Sequence, residues 1–429
     1  MIAKSQSFQI KLQSFAGKLN ENFYIKAISQ GLSTILPLII LGAFANLLNN
    51  LSIESYQAFL ESTGLKSIVG IPYTMTIGVI SLYAVFFIAY RLSEFFGEDG
   101  AGSGLIALAS FLFLTPVASL EEADVLPFQF LGAQGLFSAI LVALIAGRFY
   151  VFIVKSGWTI KMPDGVPPTV SKSFTNLVPG ILIGVFFLIV SALFTATDYG
   201  NLHSAIYSII QEPLQNLGGG FWSLIIVVLL INLLWLFGIH GGLVLTPVLM
   251  GVWMPLGLEN MDQIAAGGEP TNIVTMSLYT EFISLGGAGA TFGLCVLMAF
   301  IAKSSRYKTL GKLALPASFF SINEPLIFGT PIMLNPFMVI PFIATPVIIG
   351  VLTYLLMTIG ILPIANGTPM PVGSPLLVGG FVQGGMMLAL WQVVSVIISV
   401  VIYFPFFKML DKQALKDEKQ EETAVVNNN

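Results

Sequence analysis

Five apolar runs in the first half of the chain, near residues 28–49, 71–91, 103–120, 130–154 and 176–197, are each close to the ~20 residues an α-helix needs to cross a bilayer core. No single water-soluble core has room for so many such segments in sequence. The charge count agrees: 9% of the 429 residues are charged and 55% are hydrophobic, against about 25% charged in ordinary soluble domains. Lipid-facing surface needs almost no charge. In lipid each backbone N–H and C=O has to find its partner within the protein, which helices achieve segment by segment. The fold class is therefore an all-α polytopic membrane protein, multi-pass in the cell membrane.

The segments between the runs carry the orientation. Basic residues favour the cytoplasmic side. Lys4, Lys11, Lys18 and Lys26 precede the first run, and Arg148, Lys155, Lys161 and Lys172 cluster around 148–172. The loop 121–127 has Glu121, Glu122 and Asp124 and no base, and the stretch 198–220 has only Asp198 and Glu212. This alternation places the N-terminus inside and residues 198–220 outside. Phe8, Leu12, Phe15, Leu19 and Phe23 recur at helical spacing among the lysines, which predicts an amphipathic helix on the cytoplasmic surface over 1–28. No cleavable signal peptide is expected, because the first apolar run is too long for one.

The second half departs from simple alternation. Residues 221–257 are apolar throughout, too long for one straight pass. A single crossing would send Lys303, Arg306, Lys308 and Lys312 outside, against the charge rule. The conflict disappears if the segment enters and returns, breaking around Phe237-Gly-Ile-His-Gly-Gly242. Beyond a run at 278–302, prolines at 316, 325, 331, 336, 341 and 346 rule out one straight helix. The prediction there is a re-entrant hairpin over 315–335, then spans at 338–360 and 380–406. Lys408, Lys412, Lys416 and Lys419 hold the C-terminus inside. The expected architecture is about ten transmembrane helices with re-entrant hairpins and interfacial amphipathic helices. Its parts are the surface helix 1–28, an N-terminal scaffold 29–197, an interfacial linker 198–220, a C-terminal transport part 221–410 and a disordered tail 411–429. Ile206, Ile209, Ile210, Leu214 and Leu217 would give the linker its apolar face.

Several functions are excluded or left without support. A net charge of −4 gives no basic surface for nucleic acid. One cysteine, Cys295, cannot form an internal disulfide, and its apolar setting reads as packing. There is no Walker A pattern for ATP and no Cys/His cluster for a metal, so no cofactor is expected.

Broken helices at membrane depth are where transporters place substrate, and two ionisable residues fall on the predicted breaks. His240 is one of two histidines, and Glu324 lies in Phe319-Phe-Ser-Ile-Asn-Glu-Pro-Leu-Ile-Phe-Gly329. Such groups are expensive in lipid and persist when they face a partner or a wet cavity. Each also has a plain structural reading, as an imidazole or carboxylate that satisfies backbone groups at a kink. Together beside a hydroxyl they form an acid/base pair able to take its proton as the oxygen attacks an electrophile. Asn323 adds an amide. Asn232 and Trp235, three apart on one helical face before the first break, add a second amide and an aromatic ring. A sugar needs this mixture, although Trp235 also reads as an ordinary core or lipid-facing aromatic.

Leu236-Phe-Gly-Ile-His-Gly241, Ile322-Asn-Glu-Pro-Leu-Ile-Phe-Gly329 with Pro331-Ile-Met-Leu-Asn-Pro336, and Lys161-Met-Pro-Asp-Gly-Val-Pro-Pro168 with Ser171-Lys-Ser-Phe174 are in order along the chain. In these segments the sequence resembles the lactose/cellobiose (diacetylchitobiose) family of phosphotransferase system IIC permeases from bacteria. The resemblance implies ten membrane helices with re-entrant hairpins, a homodimer formed mainly through the N-terminal half, and a sugar site in the C-terminal half. It implies that His240 and Glu324 hold the sugar 6-hydroxyl, which a phosphocysteine on a IIB partner phosphorylates. Glu324 would be the base and His240 the orienter. It further implies alternating access, both termini in the cytoplasm, and a IIB partner on a separate chain, since no IIB segment is recognised here.

One departure bears on the sugar. Several family members have a tryptophan shortly before the Met-Pro pair of the late loop. Here the sequence is Asn366-Gly-Thr-Pro-Met-Pro-Val-Gly373, with Thr368 nearest that place and Trp391 as a distant substitute. Two further readings compete: a proton- or sodium-coupled secondary sugar transporter using Glu324 or Glu281, and a membrane sensor that binds sugar without moving it.

Overall fold

A computed structural model describes residues 18, 21–49, 54–120, 123–163, 165–330, 332, 336–371 and 373–427. The amphipathic positions Phe8, Leu12, Phe15 and Leu19 lie outside them. The regular structure of the described residues is helical except for two antiparallel three-residue strands, Ala118–Leu120 and Ala123–Val125. Among the described residues, five helices are long and apolar enough to cross a membrane: Leu65–Phe95, Ala133–Lys155, Thr169–Thr195, Phe337–Thr358 and Val378–Gln420. The number rises to 8 if three bent helix pairs each count as one span. One pair, Phe23–Thr34 and Leu36–Asn46, bends by 43°, and another, Met276–Ala290 and Phe292–Phe300, bends by 57°. The expected span at 103–120 is the shorter helix Gly100–Leu114. The expected break in 221–257 is present: the helix Phe221–Leu236 ends at a turn where Gly238 has φ +76°, and a new helix runs Gly241–Ala265.

The chain separates into two compact units. One comprises 17–217 with 246–269, and the other 218–245 with 270–429. The division at 198–220 drawn from sequence put 246–269 in the second part, whereas this segment groups with the first. The linker is helical over Leu202–Gly218 through a π-helical turn at Tyr207–Gln211, with Ile209, Ile210, Leu214 and Leu217 exposed. Ile206 is buried.

The first unit is built on close helix contacts through small residues. A Cβ at Gly31 would lie 2.8 Å from Ile88 Cα, and one at Gly104 would lie 2.9 Å from the Phe86 carbonyl. Ile88, Leu92, Phe111, Ala143 and Tyr150 are fully or almost fully buried between these helices. Polar ties fix the cluster: Tyr150 donates to Asn176 Oδ1 at 2.6 Å, and Asn176 donates to Asp99 Oδ2 at 3.1 Å. His203 is completely buried against the rings of Phe111 and Phe130, with Nε2 3.1 Å from the Thr115 hydroxyl. That hydroxyl donates to the Phe111 carbonyl, so the imidazole donates through Nε2.

In the second unit the prolines break less than expected. Pro341 and Pro346 lie inside the helix Pro336–Thr358, and Pro316 lies inside Ser305–Phe319. Membrane helices tolerate such positions when local adjustments and neighbouring groups take up the carbonyls that proline's missing N–H leaves free. The predicted hairpin 315–335 is the end of that second helix, a turn, and the short helix Glu324–Gly329. The last long helix, Val378–Asn427, is interrupted at Gly384 and Gly385, where φ is 178° and 71°. It then continues through the segment expected as a disordered tail. The reason is a contact that local composition does not reveal. Asp411 accepts from the backbone N–H groups of Lys303 and Ser304, each at 2.9 Å, and from the Ser304 hydroxyl at 2.7 Å. Glu418 accepts from Ser305 N at 3.1 Å and Arg306 N at 2.8 Å. Two carboxylates thus occupy the N-terminus of Ser305–Phe319, where four N–H groups lack intrahelical partners and the helix dipole favours negative charge.

Candidate functional site

The two breaks come together within the second unit. His240 ends the turn after Phe221–Leu236, and Glu324 opens the helix Glu324–Gly329 directly before Pro325, which suits the first helical turn because it has no N–H to leave unpaired. His240 Nε2 is 3.8 Å from Glu324 Oε1, with the two side chains 40% and 45% exposed. Leu243 N donates to His240 Nδ1 at 3.1 Å. Nδ1 is therefore an acceptor, and a neutral imidazole carries its proton on Nε2, the atom that faces the carboxylate. Trp235, 5% exposed, lies against the imidazole with ring centroids 4.4 Å apart and fixes its plane. The pair is part-exposed, and the imidazole is held in one orientation.

Asn232 and Asn323 sit beside the pair in sequence, and their amides are spent on backbone. Asn232 is 1% exposed; it donates to Val228 O at 2.7 Å and accepts from Gly289 N at 2.8 Å. Asn323 is 3% exposed; it donates to Ala288 O at 2.7 Å and Thr291 Oγ1 at 2.8 Å. Both grip the bend at 286–291, where Gly286, Gly287, Gly289 and Ala290 have positive φ. Ser399 donates to Ala290 O and Tyr403 to Gly289 O, at 2.7 and 2.8 Å. One bend is thus clamped by four side chains. Two of them come from the segments that carry His240 and Glu324.

Other buried polar residues of this unit escaped the sequence reading. Gln392 accepts from Leu377 N and Gly380 N and donates to the Glu281 carbonyl at 2.6 Å. Gln383 donates to Thr368 O at 2.6 Å, and Ser277 donates to the same carbonyl at 2.8 Å. Thr368 is 6% exposed in this pinned loop. Trp391, the weighed substitute for the missing aromatic, is buried and donates its indole N–H to Thr353. The signal was present: glutamines 383 and 392 inside an otherwise apolar helix are the kind of intramembrane polar residue that marks a packed polar interior.

The pattern of the family described as "Phosphotransferase system, EIIC" matches residues 29–346. The chain belongs to that family. Among EIIC proteins it is similar to the oligo-β-mannoside-specific EIIC component of Bacillus subtilis (strain 168), 35% identical with 100% of this chain and 99% of the relative covered. It is also similar to the cellobiose-specific EIIC component of Geobacillus stearothermophilus, 32% identical over 96% and 95% of the two chains. The crystal structure of the transporter ChbC, the IIC component from the N,N'-diacetylchitobiose-specific phosphotransferase system, superposes with a TM-score of 0.88 at 34% identity, covering 95% of this chain and 98% of that one. The EIIC assignment and the all-α membrane architecture expected from sequence both stand on these likenesses.

Proposed function

We propose that this EIIC chain translocates a β-linked disaccharide of the cellobiose or diacetylchitobiose type and holds its 6-hydroxyl between His240 and Glu324 for phosphorylation by a IIB phosphocysteine. The observation that carries the proposal is the part-exposed imidazole–carboxylate pair, 3.8 Å apart, at two helix interruptions. The substrate class rests on the β-linked sugars in the names of its relatives. Neither group is the phosphoryl donor. The sugar oxygen attacks phosphorus, an O–P bond forms, the S–P bond breaks and the cysteine thiolate leaves on the partner. The hydroxyl proton goes to the Glu324 carboxylate, and His240 Nε2–H orients the oxygen. Trp235, Asn232 and Asn323 serve as positioning residues: the ring backs the imidazole, and the amides hold both segments to one bend. In this reading residues 29–197 form the scaffold and homodimer contact, and 221–410 form the sugar-binding part. The sugar crosses by alternating access, and both termini are cytoplasmic.

The test uses proteoliposomes loaded with the soluble phosphotransferase proteins and phosphoenolpyruvate. Wild-type chain should accumulate sugar phosphate, insensitive to proton uncouplers, and Glu324→Ala and His240→Ala should abolish or strongly reduce it while gel filtration stays normal. Wild-type rates in both variants would refute the site. Free sugar inside, lost on adding uncoupler, would instead support an ion-coupled transporter, for which the buried carboxylate of Glu281, 7% exposed, is the available proton carrier.

A further inference from the structure

We propose a second saccharide site, in the first unit and separate from the His240–Glu324 pair. A cavity of about 500 Å³ opens between the segments 73–78, 128–134 and 259–265, with Tyr207 on one wall. That volume falls within the range of small-molecule sites. Its chemistry is specific. Gln129, Gln134 and Gln263 bring three amides, each both donor and acceptor; Glu259 and Asp262 bring carboxylates; and no Lys, Arg or His lines the space.

The two carboxylates are held before any ligand arrives. Tyr73 donates to Asp262 Oδ1 at 2.5 Å, and Gln215 donates to Glu259 Oε1 at 2.7 Å. Behind Glu259, Gln211 is completely buried, its Nε2 3.5 Å from the same carboxylate oxygen and its Oε1 without a hydrogen-bond partner. Gln211 does not line the cavity; with Gln215 it backs the Glu259 carboxylate from the protein side. The ring of Phe128, 48% exposed at the rim, offers an apolar face.

These features select among ligands. Amides that donate and accept within one small space suit a set of hydroxyls, and an aromatic face suits the C–H side of a sugar ring. The two carboxylates, with no base in the lining, repel anions and therefore exclude a phosphorylated sugar. A metal ion is a poor fit, because no group of three or more His, Cys, Asp and Glu among the described residues is arranged to hold one, and both carboxylates already accept hydrogen bonds. The ligand class is a neutral saccharide. Acidic, base-free segments at 121–127, 198–220 and 258–272 put the cavity on the outer face by the charge rule. There, unphosphorylated sugar first meets the protein. The choice of sugar and the assignment to the outer face rest on the proposed function.

The experiment is saturation-transfer NMR on the purified full chain in detergent, with cellobiose as probe. In the double variant His240→Ala/Glu324→Ala, transfer to cellobiose should persist. Adding Gln134→Leu and Gln263→Leu should weaken binding about tenfold, equivalent to ~1.4 kcal/mol. Gln129→Ala, at an exposed position, should weaken it in the same direction if the leucine variants fold poorly. Transfer that vanishes in His240→Ala/Glu324→Ala overturns the second site and leaves the first standing. Transfer that persists in His240→Ala/Glu324→Ala but is lost with Gln134→Leu/Gln263→Leu supports the second site, while the first is judged separately by sugar phosphate formation in the proteoliposomes. Transfer that survives the glutamine substitutions refutes the second site, as does competition by a simple divalent salt.

Discussion

Asp411→Ala tests whether the C-terminal helix holds the hairpin that carries Glu324. The carboxylate accepts three hydrogen bonds, from Lys303 N, Ser304 N and Ser304 Oγ, and is 7% exposed. Truncation leaves two backbone N–H groups at the mouth of Ser305–Phe319 without an acceptor, Ser304 itself being fully buried. An unsatisfied buried group costs about 1–3 kcal/mol, and bonds to a charged acceptor lie at the upper end. Some relief by water brings the expected loss to ~2–4 kcal/mol. Because 1.4 kcal/mol is tenfold, amide hydrogen exchange at 303–308 should accelerate about a hundredfold in the middle of that range, by local opening. Asp411→Asn keeps one acceptor oxygen and should lose about half as much. Glu418→Ala removes two bonds that face solvent and should cost less than about 1 kcal/mol. Exchange in Asp411→Ala within about twofold of wild type, or equal effects of Asp411→Ala and Glu418→Ala, would refute the capping argument.

Three further outcomes follow from the packing. Asn232→Leu strips the acceptor from Gly289 N and should lower stability by about 1–3 kcal/mol, read as a lower melting temperature in detergent, with sugar phosphate formation falling alongside. Gly311→Ala would put a Cβ 2.4 Å from Ala299 N; such overpacking costs about 1–3 kcal/mol, and an unchanged melting temperature would show that the helices can separate freely. His203→Leu removes one hydroxyl contact together with a ring nitrogen, Nδ1, that has no partner. It should change stability by less than about 1.5 kcal/mol, since replacing a half-satisfied polar group by an apolar one of similar size can be nearly neutral.

The apolar runs and the loop charges were legible because a bilayer imposes length and charge rules residue by residue. The break before Gly241 was legible from the excess length of 221–257, and the His240–Glu324 pair from two ionisable groups in apolar surroundings. What stayed hidden depends on partners distant in sequence. Nothing local to Asn232 or Asn323 says that their amides will be used up on a bend near residue 289. The tail looked disordered because its anchor, the N-terminus of a helix more than a hundred residues earlier, is not a local property. Pro341 and Pro346 looked like breakers, but both lie inside the helix Pro336–Thr358, because packing distant in sequence can hold a helix that carries proline. The grouping of 246–269 with the first unit is likewise set by side chains such as Tyr73, which meets Asp262.

The bend at 286–291 gives the His240 and Glu324 segments a common datum. Asn232 ties the histidine's helix to Gly289, and Asn323 ties the glutamate's turn to Ala288, so displacing that loop carries imidazole and carboxylate together and leaves their spacing unchanged. In the proposed function, that would keep the distance between the two groups the same throughout the sugar's passage. Under that proposal, surrounding segments could change without resetting the spacing of the pair.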